Sequence, residues 1–143
     1  MRVAVASDHA GFPQKAFVVK VLKDMGYEVL DLGPASDERV DYPDFAKQVA
    51  KHVAQNSCER GVLICGTGLG MAITADKKPG VRAVAIQTPG FAELARAHND
   101  ANVVCLSGRF VSEMTNAAIL KVFMETPFAG GRHAERVKKI EEA

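Results

Sequence analysis

The chain has 143 residues, a length typical of one domain whose core is large enough to fold without disulfides or metals. Its formal net charge is +1, with 48% hydrophobic and 24% charged residues, so it lacks the basic excess of a nucleic-acid-binding protein. No apolar run approaches the roughly 20 residues that cross a bilayer, and the N-terminal segment is too short for a secretion signal. The three cysteines are an odd number in dissimilar surroundings, which argues against a disulfide framework and favours a cytoplasmic location. They include no CxxC pair, which argues against a thiolate zinc site.

Short apolar segments alternate with helical patterns along the whole chain. The segments typical of strands are 3–7, 27–32, 61–65, 81–86 and 103–107. The segments typical of helices are 13–25, 41–55, 70–77, 90–98, 112–125 and 132–142. Pro13 suits the first turn of its helix, and we expect Asp41 to cap the next one. Three lysines of the first helix are expected to face away from its apolar side: Lys15, Lys20 and Lys23.

Five strands, each followed by a helix, predict βαβ units in an α/β fold. We therefore expect a single domain over residues 1–143, built as a three-layer αβα sandwich. Its centre would be a five-stranded parallel, Rossmann-like sheet, and a C-terminal helix would end the chain. One sequence does not determine the strand order, and we take 2-1-3-4-5 as the expectation.

Polar residues are concentrated where open α/β sheets bind ligands, beyond the carboxyl ends of the strands. The four segments at these positions are Ser7–His9, Cys65–Gly70, Ile86–Thr88 and Ser107–Arg109. The segment after the third strand is the richest, because its three glycines allow a ligand to approach the backbone closely. Their N–H groups lie near the start of the next helix, an arrangement that binds a phosphate or a developing oxyanion.

The Cys65–Gly70 loop does not match the familiar glycine-rich motifs. Met71 stands where a GxGxxG motif needs glycine or alanine, and where a cysteine-phosphatase loop needs arginine. The Gly-Lys-Ser/Thr of a P-loop is absent, and Leu63 stands where a nucleophile elbow needs glycine. What remains is a cysteine beside backbone donors and a helix start, a setting that favours the thiolate as base or nucleophile. The alternative is a buried cysteine that only ends a core strand.

Other candidate residues are ambiguous when each is taken alone. Asp8 and His9 fit either a functional site or an ordinary turn into a helix, and His98 could simply complement a helix C-terminus. Arg132 and Arg136 are four residues apart on one helical face, where they could bind one phosphate or form a solvated surface. Three further residues are interpreted as having no chemical role: His52, Cys58 and Cys105.

Five motifs together resemble type B ribose-5-phosphate isomerases, within the ribose and galactose phosphate isomerase family. They are Asp8-His9-Ala10-Gly11, Asp41-Tyr42-Pro43, Cys65-Gly66-Thr67-Gly68-Leu69-Gly70, His98-Asn99-Asp100-Ala101-Asn102 and Gly130-Gly131-Arg132-His133. They occur in the family's order over nearly the whole chain. The resemblance implies an aldose–ketose isomerase of the pentose phosphate pathway that interconverts ribose 5-phosphate and ribulose 5-phosphate through an enediolate, without a metal or other cofactor.

The resemblance also implies which residues carry the chemistry. Cys65 would be the base that moves a proton between C2 and C1, and Thr67 would help to hold the enediolate oxygen. The backbone donors implied beside Thr67 are those of Gly66, Gly68 and Gly70. Another branch of the family replaces the cysteine and places a glutamate after the third glycine. This chain has Met71 there, which leaves Cys65 as the implied base.

The remaining implied roles concern ring opening and substrate binding. His98, helped by Asp8, would open the furanose ring. The residues implied to bind the phosphate are His9, Arg109, Arg132 and Arg136, and those implied to contact sugar hydroxyls are Tyr42 and Asn99.

The family's assembly implies a homodimer, or a tetramer, with active sites shared between subunits. His98, Asn99 and Arg109 would then serve the neighbouring subunit. The expected partner is a small phosphosugar, with no nucleic acid or membrane. A hexose-phosphate isomerase acting on allose or galactose 6-phosphate is the alternative enzyme, since pocket length rather than the catalytic set would separate the two. A non-catalytic sugar-phosphate sensor is the alternative outside enzymes.

Overall fold

The computed structural model describes residues 1–143 and contains five strands and six helices. The strands are β1 (Arg2–Ser7), β2 (Glu28–Asp31), β3 (Arg60–Cys65), β4 (Ala83–Ala85) and β5 (Val103–Ser107). The helices are α1 (Phe12–Asp24), α2 (Tyr42–Ala54), α3 (Leu69–Ala75), α4 (Pro89–Asn99), α5 (Glu113–Glu125) and α6 (Arg132–Glu141). Every predicted element is present, and no end differs from its predicted position by more than two residues. None of the helices combines the length and apolar character that spanning a bilayer requires.

The five strands form one parallel sheet in the order β2-β1-β3-β5-β4. The expected order 2-1-3-4-5 is therefore wrong for the last two strands. All five residues of β5 are buried, whereas β4 has three residues and two of them are partly exposed. A fully buried apolar strand needs neighbours on both sides, and a short, partly exposed strand is tolerated at an edge.

Two apolar layers, one on each face of the sheet, produce the predicted three-layer architecture. Helices α1, α4 and α5 cover one face, and α2 and α3 cover the other. Side chains alternate along β3, so that Val62 and Ile64 belong to the first layer, and Leu63 and Cys65 to the second. Each layer contains 16 buried residues. This alternation directs Cys65 to the α2–α3 side at the carboxyl end of β3.

Two expectations about the first helices are corrected by the structure. Asp41 occupies the N-cap position of α2, but its side chain accepts no hydrogen bond. The reason is that Pro43 has no N–H, and the Asp44 N–H donates to the Asp41 backbone carbonyl instead. Lys15 is buried rather than turned to solvent, because its ammonium donates to Asp31 Oδ1 at 2.9 Å and to the carbonyl of residue 34 at 2.6 Å.

The last helix, α6, lies on the outside of the domain and has no buried residue. Near its C-terminus, Glu141 accepts hydrogen bonds from the Arg82 guanidinium and from the Gly80 N–H. Near its N-terminus, His133 stacks on His98 of α4. These contacts attach α6 to the end of the domain where the strands begin.

Candidate active site

Three loops meet at the carboxyl ends of the neighbouring strands β1, β3 and β5. A Cβ atom at Gly11, in the loop after β1, would lie 2.1 Å from the Ile64 carbonyl oxygen of β3. A Cβ atom at Gly108, after β5, would lie 3.0 Å from the Ala10 carbonyl oxygen. A Cβ would not fit at Gly11 and would be in unusually tight contact at Gly108, so the backbones of the three loops pack directly on one another. The predicted convergence of these segments is confirmed, whereas Thr88, after the edge strand, caps α4 by accepting from the Phe91 N–H.

The loop after β3 folds back onto the Cys65 thiol. The Gly68 N–H donates to Cys65 Sγ at 3.1 Å, and Cys65 is only 5% exposed. Gly68 has φ +84°, and a Cβ there would lie 2.9 Å from the Cys105 carbonyl oxygen, so this turn requires glycine. A hydrogen bond donated to sulfur stabilises negative charge on it. The loop can therefore hold a thiolate in a defined position.

Several backbone donors of this loop have no acceptor in the protein. The Leu69 N–H donates to Thr67 Oγ1 at 3.1 Å. The N–H groups of Thr67, Gly70 and Met71 donate to no protein group. Backbone donors that remain free beside a titratable group are what an oxyanion or phosphate requires.

Tyr42, at the start of α2, borders the same loop. A Cβ atom at Gly70 would lie 2.5 Å from the Tyr42 ring, so the ring packs against that glycine. Tyr42 remains 40% exposed. The structure thus brings the predicted hydroxyl-binding tyrosine to the Cys65 loop.

Asp8 and His9 both make structural hydrogen bonds at this edge of the sheet. Buried Asp8 accepts from the Gly11 N–H at 2.9 Å, which is the turn role considered for it from the sequence. The Val40 N–H donates to His9 Nδ1 at 3.2 Å. Because Nδ1 accepts, the proton of the neutral His9 ring lies on Nε2. His9 can therefore offer an N–H donor to an anion.

Arg109 lies beside the Cys65 loop of its own chain, rather than with His98 and Asn99 as the resemblance implied. Its backbone N–H donates to the Gly66 carbonyl at 3.2 Å. Its side chain lies along Gly66, since a Cβ there would be 3.4 Å from Arg109 Cδ. The Arg109 guanidinium therefore lies beside the loop that carries Cys65.

His98 and Asn99 lie at the opposite end of the sheet. Helix α4 runs back from the carboxyl end of β4 and ends at Asn99. Just beyond it, the Asn102 carbonyl accepts from the Gly61 N–H at the start of β3. From Gly61 to Cys65 the strand advances four residues, or about 13 Å at ~3.3 Å per residue. One chain therefore does not bring His98 and Cys65 together.

The two arginines of α6 accompany His98 at this far end. The ring centroids of His98 and His133 are 4.2 Å apart with an interplanar angle of 13°. Loss of solvation lowers the pKa of His133, and the nearby charges of His98, Arg132 and Arg136 lower it further. Neither arginine forms an ion pair. The cluster thus places two arginines without ion-pair partners beside two histidines, where they can bind an anion.

Residues 3–140 match the Ribose/Galactose Isomerase family. The chain belongs to this family. It is 42% identical over 139 residues to ribose-5-phosphate isomerase B of Escherichia coli K12, covering 97% of this chain and 93% of that protein. It is 44% identical over 139 residues to the probable ribose-5-phosphate isomerase B of Mycoplasma pneumoniae, with coverages of 96% and 91%.

Solved structures of isomerases from this family agree with the fold. Ribose-5-phosphate isomerase B of Clostridium thermocellum superposes with a TM-score of 0.98 at 44% identity, covering 99% of this chain and 96% of that one. The Mycoplasma genitalium enzyme, solved with bound ribulose-5-phosphate, gives a TM-score of 0.95 at 44% identity, with coverages of 99% and 94%. These relatives confirm the predicted family, fold class and enzyme class, an aldose–ketose isomerase.

The other two cysteines of this family member, for which the sequence predicted no chemical role, are core residues. Cys58 and Cys105 are buried and form no disulfide. Burial raises the pKa of both thiols, and for Cys105 the nearby Cys65 adds to the effect. Both therefore remain protonated thiols at neutral pH. No three His, Cys, Asp or Glu side chains are arranged so that they could hold a metal ion.

Sequence reasoning missed a buried polar network behind the site of this isomerase. Asn116 Nδ2 donates to Gln14 Oε1 at 2.8 Å and to the Ser107 carbonyl at 3.0 Å. Gln14 Nε2 donates to the carbonyls of Gly108 and Val111 at 3.1 and 2.8 Å. One sequence signal could have revealed this network. Asn116 is an amide residue among the apolar, buried residues of α5, and a buried amide needs hydrogen-bond partners.

Proposed function

We propose that this protein interconverts D-ribose 5-phosphate and D-ribulose 5-phosphate. The observation that carries the proposal is the Cys65 thiol, which accepts from Gly68 N–H inside a loop with unused backbone donors. A base beside fixed donors is what proton abstraction next to a carbonyl requires. The relatives named as ribose-5-phosphate isomerases, one of them with ribulose-5-phosphate bound, support the choice of a pentose phosphate.

In the proposed mechanism, the Cys65 thiolate removes the C2 proton of the open-chain aldose. The C2–H electron pair forms the C1–C2 double bond, and the carbonyl oxygen at C1 becomes the enediolate oxygen. Free N–H groups such as that of Thr67 would hold this oxygen while it is charged. The Cys65 thiol then returns the proton to C1, where the electron pair of the C1–C2 double bond receives it. The proton of the O2 hydroxyl passes to O1, and the O2–H electron pair forms the C2=O bond of the ketose. Met71 cannot accept a proton, so Cys65 is the base available within the loop.

We further propose that two chains share each active site. His98 would open the furanose ring, but it lies at the end of the sheet opposite Cys65 in its own chain. In a two-fold symmetric dimer, His98 and Asn99 of one chain can reach the Cys65 loop of the other, at two equivalent sites. This arrangement would place Arg132 and Arg136 beside the same loop, where they would bind the phosphate.

An apolar face on each side of the edge strand supports a homodimer. Leu69 and Ile73 of α3 are 55% and 65% exposed, and Phe91 and Leu94 of α4 are 65% and 44% exposed. Such side chains beside an open strand edge are typical of a surface covered by another chain. A second copy is the occupant we propose, because it would also complete the catalytic set. A tetramer made of two such dimers is the alternative assembly.

His9 and Arg109 complete the proposed phosphate site from the chain that provides Cys65. Both belong to loops that pack directly against the Cys65 loop. The Arg109 charge and the N–H donors of both side chains would bind the phosphate and so orient the substrate. Tyr42 would contact a sugar hydroxyl at the other side of the loop.

The test is an isomerase assay without added metal. The purified protein is incubated with ribose 5-phosphate, and ketose formation is followed; allose 6-phosphate and galactose 6-phosphate are tested in parallel. We expect the pentose phosphate to give the highest kcat/KM. A higher kcat/KM with either hexose phosphate would favour the hexose-phosphate isomerase. No turnover of any of the three would contradict the isomerase and favour a sugar-phosphate sensor.

A further inference from the structure

Three buried polar side chains hold the loop that joins β5 to α5 on its protein-facing side. Gln14, Ser107 and Asn116 are 7%, 1% and 0% exposed. Gln14 and Asn116 bind the backbone carbonyls of this loop, and Asn116 also binds Gln14. Every N–H of these two buried amides is paired, although Asn116 Oδ1 has no partner, and such paired buried donors restrict local movement. The network therefore fixes the position of Ser107 in the loop.

Ser107 connects this rigid loop to the loop of the proposed base. Its Oγ donates to the Gly66 carbonyl at 2.7 Å and accepts from the Phe110 N–H at 3.0 Å. The Arg109 N–H donates to the same Gly66 oxygen at 3.2 Å. Two donors thus hold the Gly66 carbonyl toward the β5–α5 loop.

The fixed carbonyl determines where a neighbouring donor points. The peptide bond between Gly66 and Thr67 is planar and trans, so its C=O and its N–H point in opposite directions. Holding the Gly66 oxygen toward the β5 side therefore directs the Thr67 N–H away from it. That N–H has no acceptor in the protein.

We propose that Ser107, held in place by Gln14 and Asn116, is a positioning residue that aims the Thr67 N–H at the enediolate oxygen. The inference rests on the proposed function, since it assigns a residue to the same reaction. A donor that is fixed before charge develops stabilises the transition state more than the substrate. Loss of Ser107 Oγ should therefore lower kcat and leave KM nearly unchanged.

The test compares Ser107→Ala with Ser112→Ala. Both changes remove one serine hydroxyl near the start of α5, but Ser112 Oγ bonds only to Thr115, accepting from its N–H and donating to its Oγ1. We expect Ser107→Ala to lower kcat about tenfold, less than the loss of an oxyanion donor itself. In NMR spectra of Ser107→Ala, we also expect the backbone amide resonance of Thr67 to shift from its wild-type position. Ser112→Ala should keep the wild-type kcat and Thr67 resonance.

A second variant makes the test independent of the folding of Ser107→Ala. Gln14→Met keeps the side-chain length but removes the donor to the Gly108 and Val111 carbonyls. It should shift the Thr67 resonance and lower kcat in the same direction. The positioning role is wrong if folded variants keep the wild-type kcat and Thr67 resonance. If the wild-type protein does not isomerise ribose 5-phosphate, the proposed function fails, and the Thr67 resonance still decides whether Ser107 orients that peptide.

Discussion

At the scale of single residues, the environment of the Cys65 sulfur separates it from the other thiols. Cys58 and Cys105 lie in the apolar layer, where burial raises the pKa of each and keeps it protonated. Cys65 ends the same layer but receives a hydrogen bond from the Gly68 N–H at the edge of the sheet. Cys58 and Cys105 thus contribute to core packing, whereas the Cys65 thiol is positioned to act as the proposed base.

Replacing Cys65 with alanine should remove isomerisation and leave the protein folded. The change deletes the proposed base, and a general base contributes typically about 10²- to 10⁴-fold to the rate. We expect kcat to fall by at least about 10²-fold, as measured with ribose 5-phosphate, with a circular dichroism spectrum like that of the wild type.

The matched control is Cys58→Ala, which removes another buried thiol. It should keep the wild-type kcat and lose about 1 kcal/mol of stability, as is typical of a small deletion in a core. Activity close to normal in Cys65→Ala would show that the base lies elsewhere.

At the scale of secondary-structure elements, alternation along the sequence predicts every helix and strand but not how they are ordered in space. The alternation did not separate the two orders of the last strands, and the expected order 2-1-3-4-5 was wrong. The unused signal is that Val103–Ser107 contains no charged residue, whereas Arg82 directly precedes β4. The convergence of the Asp8, Cys65 and Arg109 segments was predictable, because each lies at or just after the carboxyl end of a strand in one parallel sheet.

One feature was beyond sequence reasoning because it depends on long-range pairing. Asn116 and Gln14 are 102 residues apart, and no local spacing indicates their hydrogen bond. The separation of His98 from Cys65, by contrast, was expected from the family resemblance, and in the structure it follows from the direction of α4.

The stacking of His98 of α4 on His133 of α6 leads us to predict a lowered pKa for His133. Reduced solvation and the charges of His98, Arg132 and Arg136 lower the pKa of His133 below its ordinary value. NMR titration of the ring protons should show this. Arg136→Gln should move the pKa back upward, because one repelling charge is lost, whereas Lys23→Gln on α1 should have no effect.

The same shift gives the sign of a pH effect on stability. A histidine with a lowered pKa binds fewer protons in the folded protein than in the unfolded chain between the two pKa values. Stability from this group is therefore complete above the unfolded pKa and decreases as the pH falls through that range. An unshifted or raised pKa of His133 would contradict the close approach of the two rings and the arginines.

At the scale of the whole molecule, the proposed catalytic residues lie at two opposite ends of one domain. Cys65, Tyr42 and Arg109 lie at the carboxyl ends of the strands, and His98 lies at the amino ends together with α6. A domain divided in this way is inactive alone if the proposed function holds. Only the dimer would then isomerise the substrate.

Shared sites predict that two inactive variants complement each other. Cys65→Ala and His98→Asn should each be inactive as homodimers. After the two are mixed under conditions that exchange subunits, half of the dimers are mixed, and each contains one intact site of two. We expect about a quarter of the wild-type activity per chain, from random pairing in a two-fold dimer.

The control for this experiment is a mixture of Cys65→Ala with Cys65→Ala/His98→Asn. Its mixed dimers contain no intact site, so no activity should return. Failure of the first mixture to recover activity, with subunit exchange verified by mass spectrometry, would contradict sharing of the active site.

The exposed position of α6 has a consequence for local opening of the chain. Because α6 has no buried residue, its amide hydrogens should exchange with solvent far faster than those of β3 and β5, whose residues form the core. The two arginines that would bind phosphate are thus on the element that opens most readily. Slower exchange in α6 would therefore signal coverage of this helix by substrate or by a second chain, even in a variant that performs no chemistry.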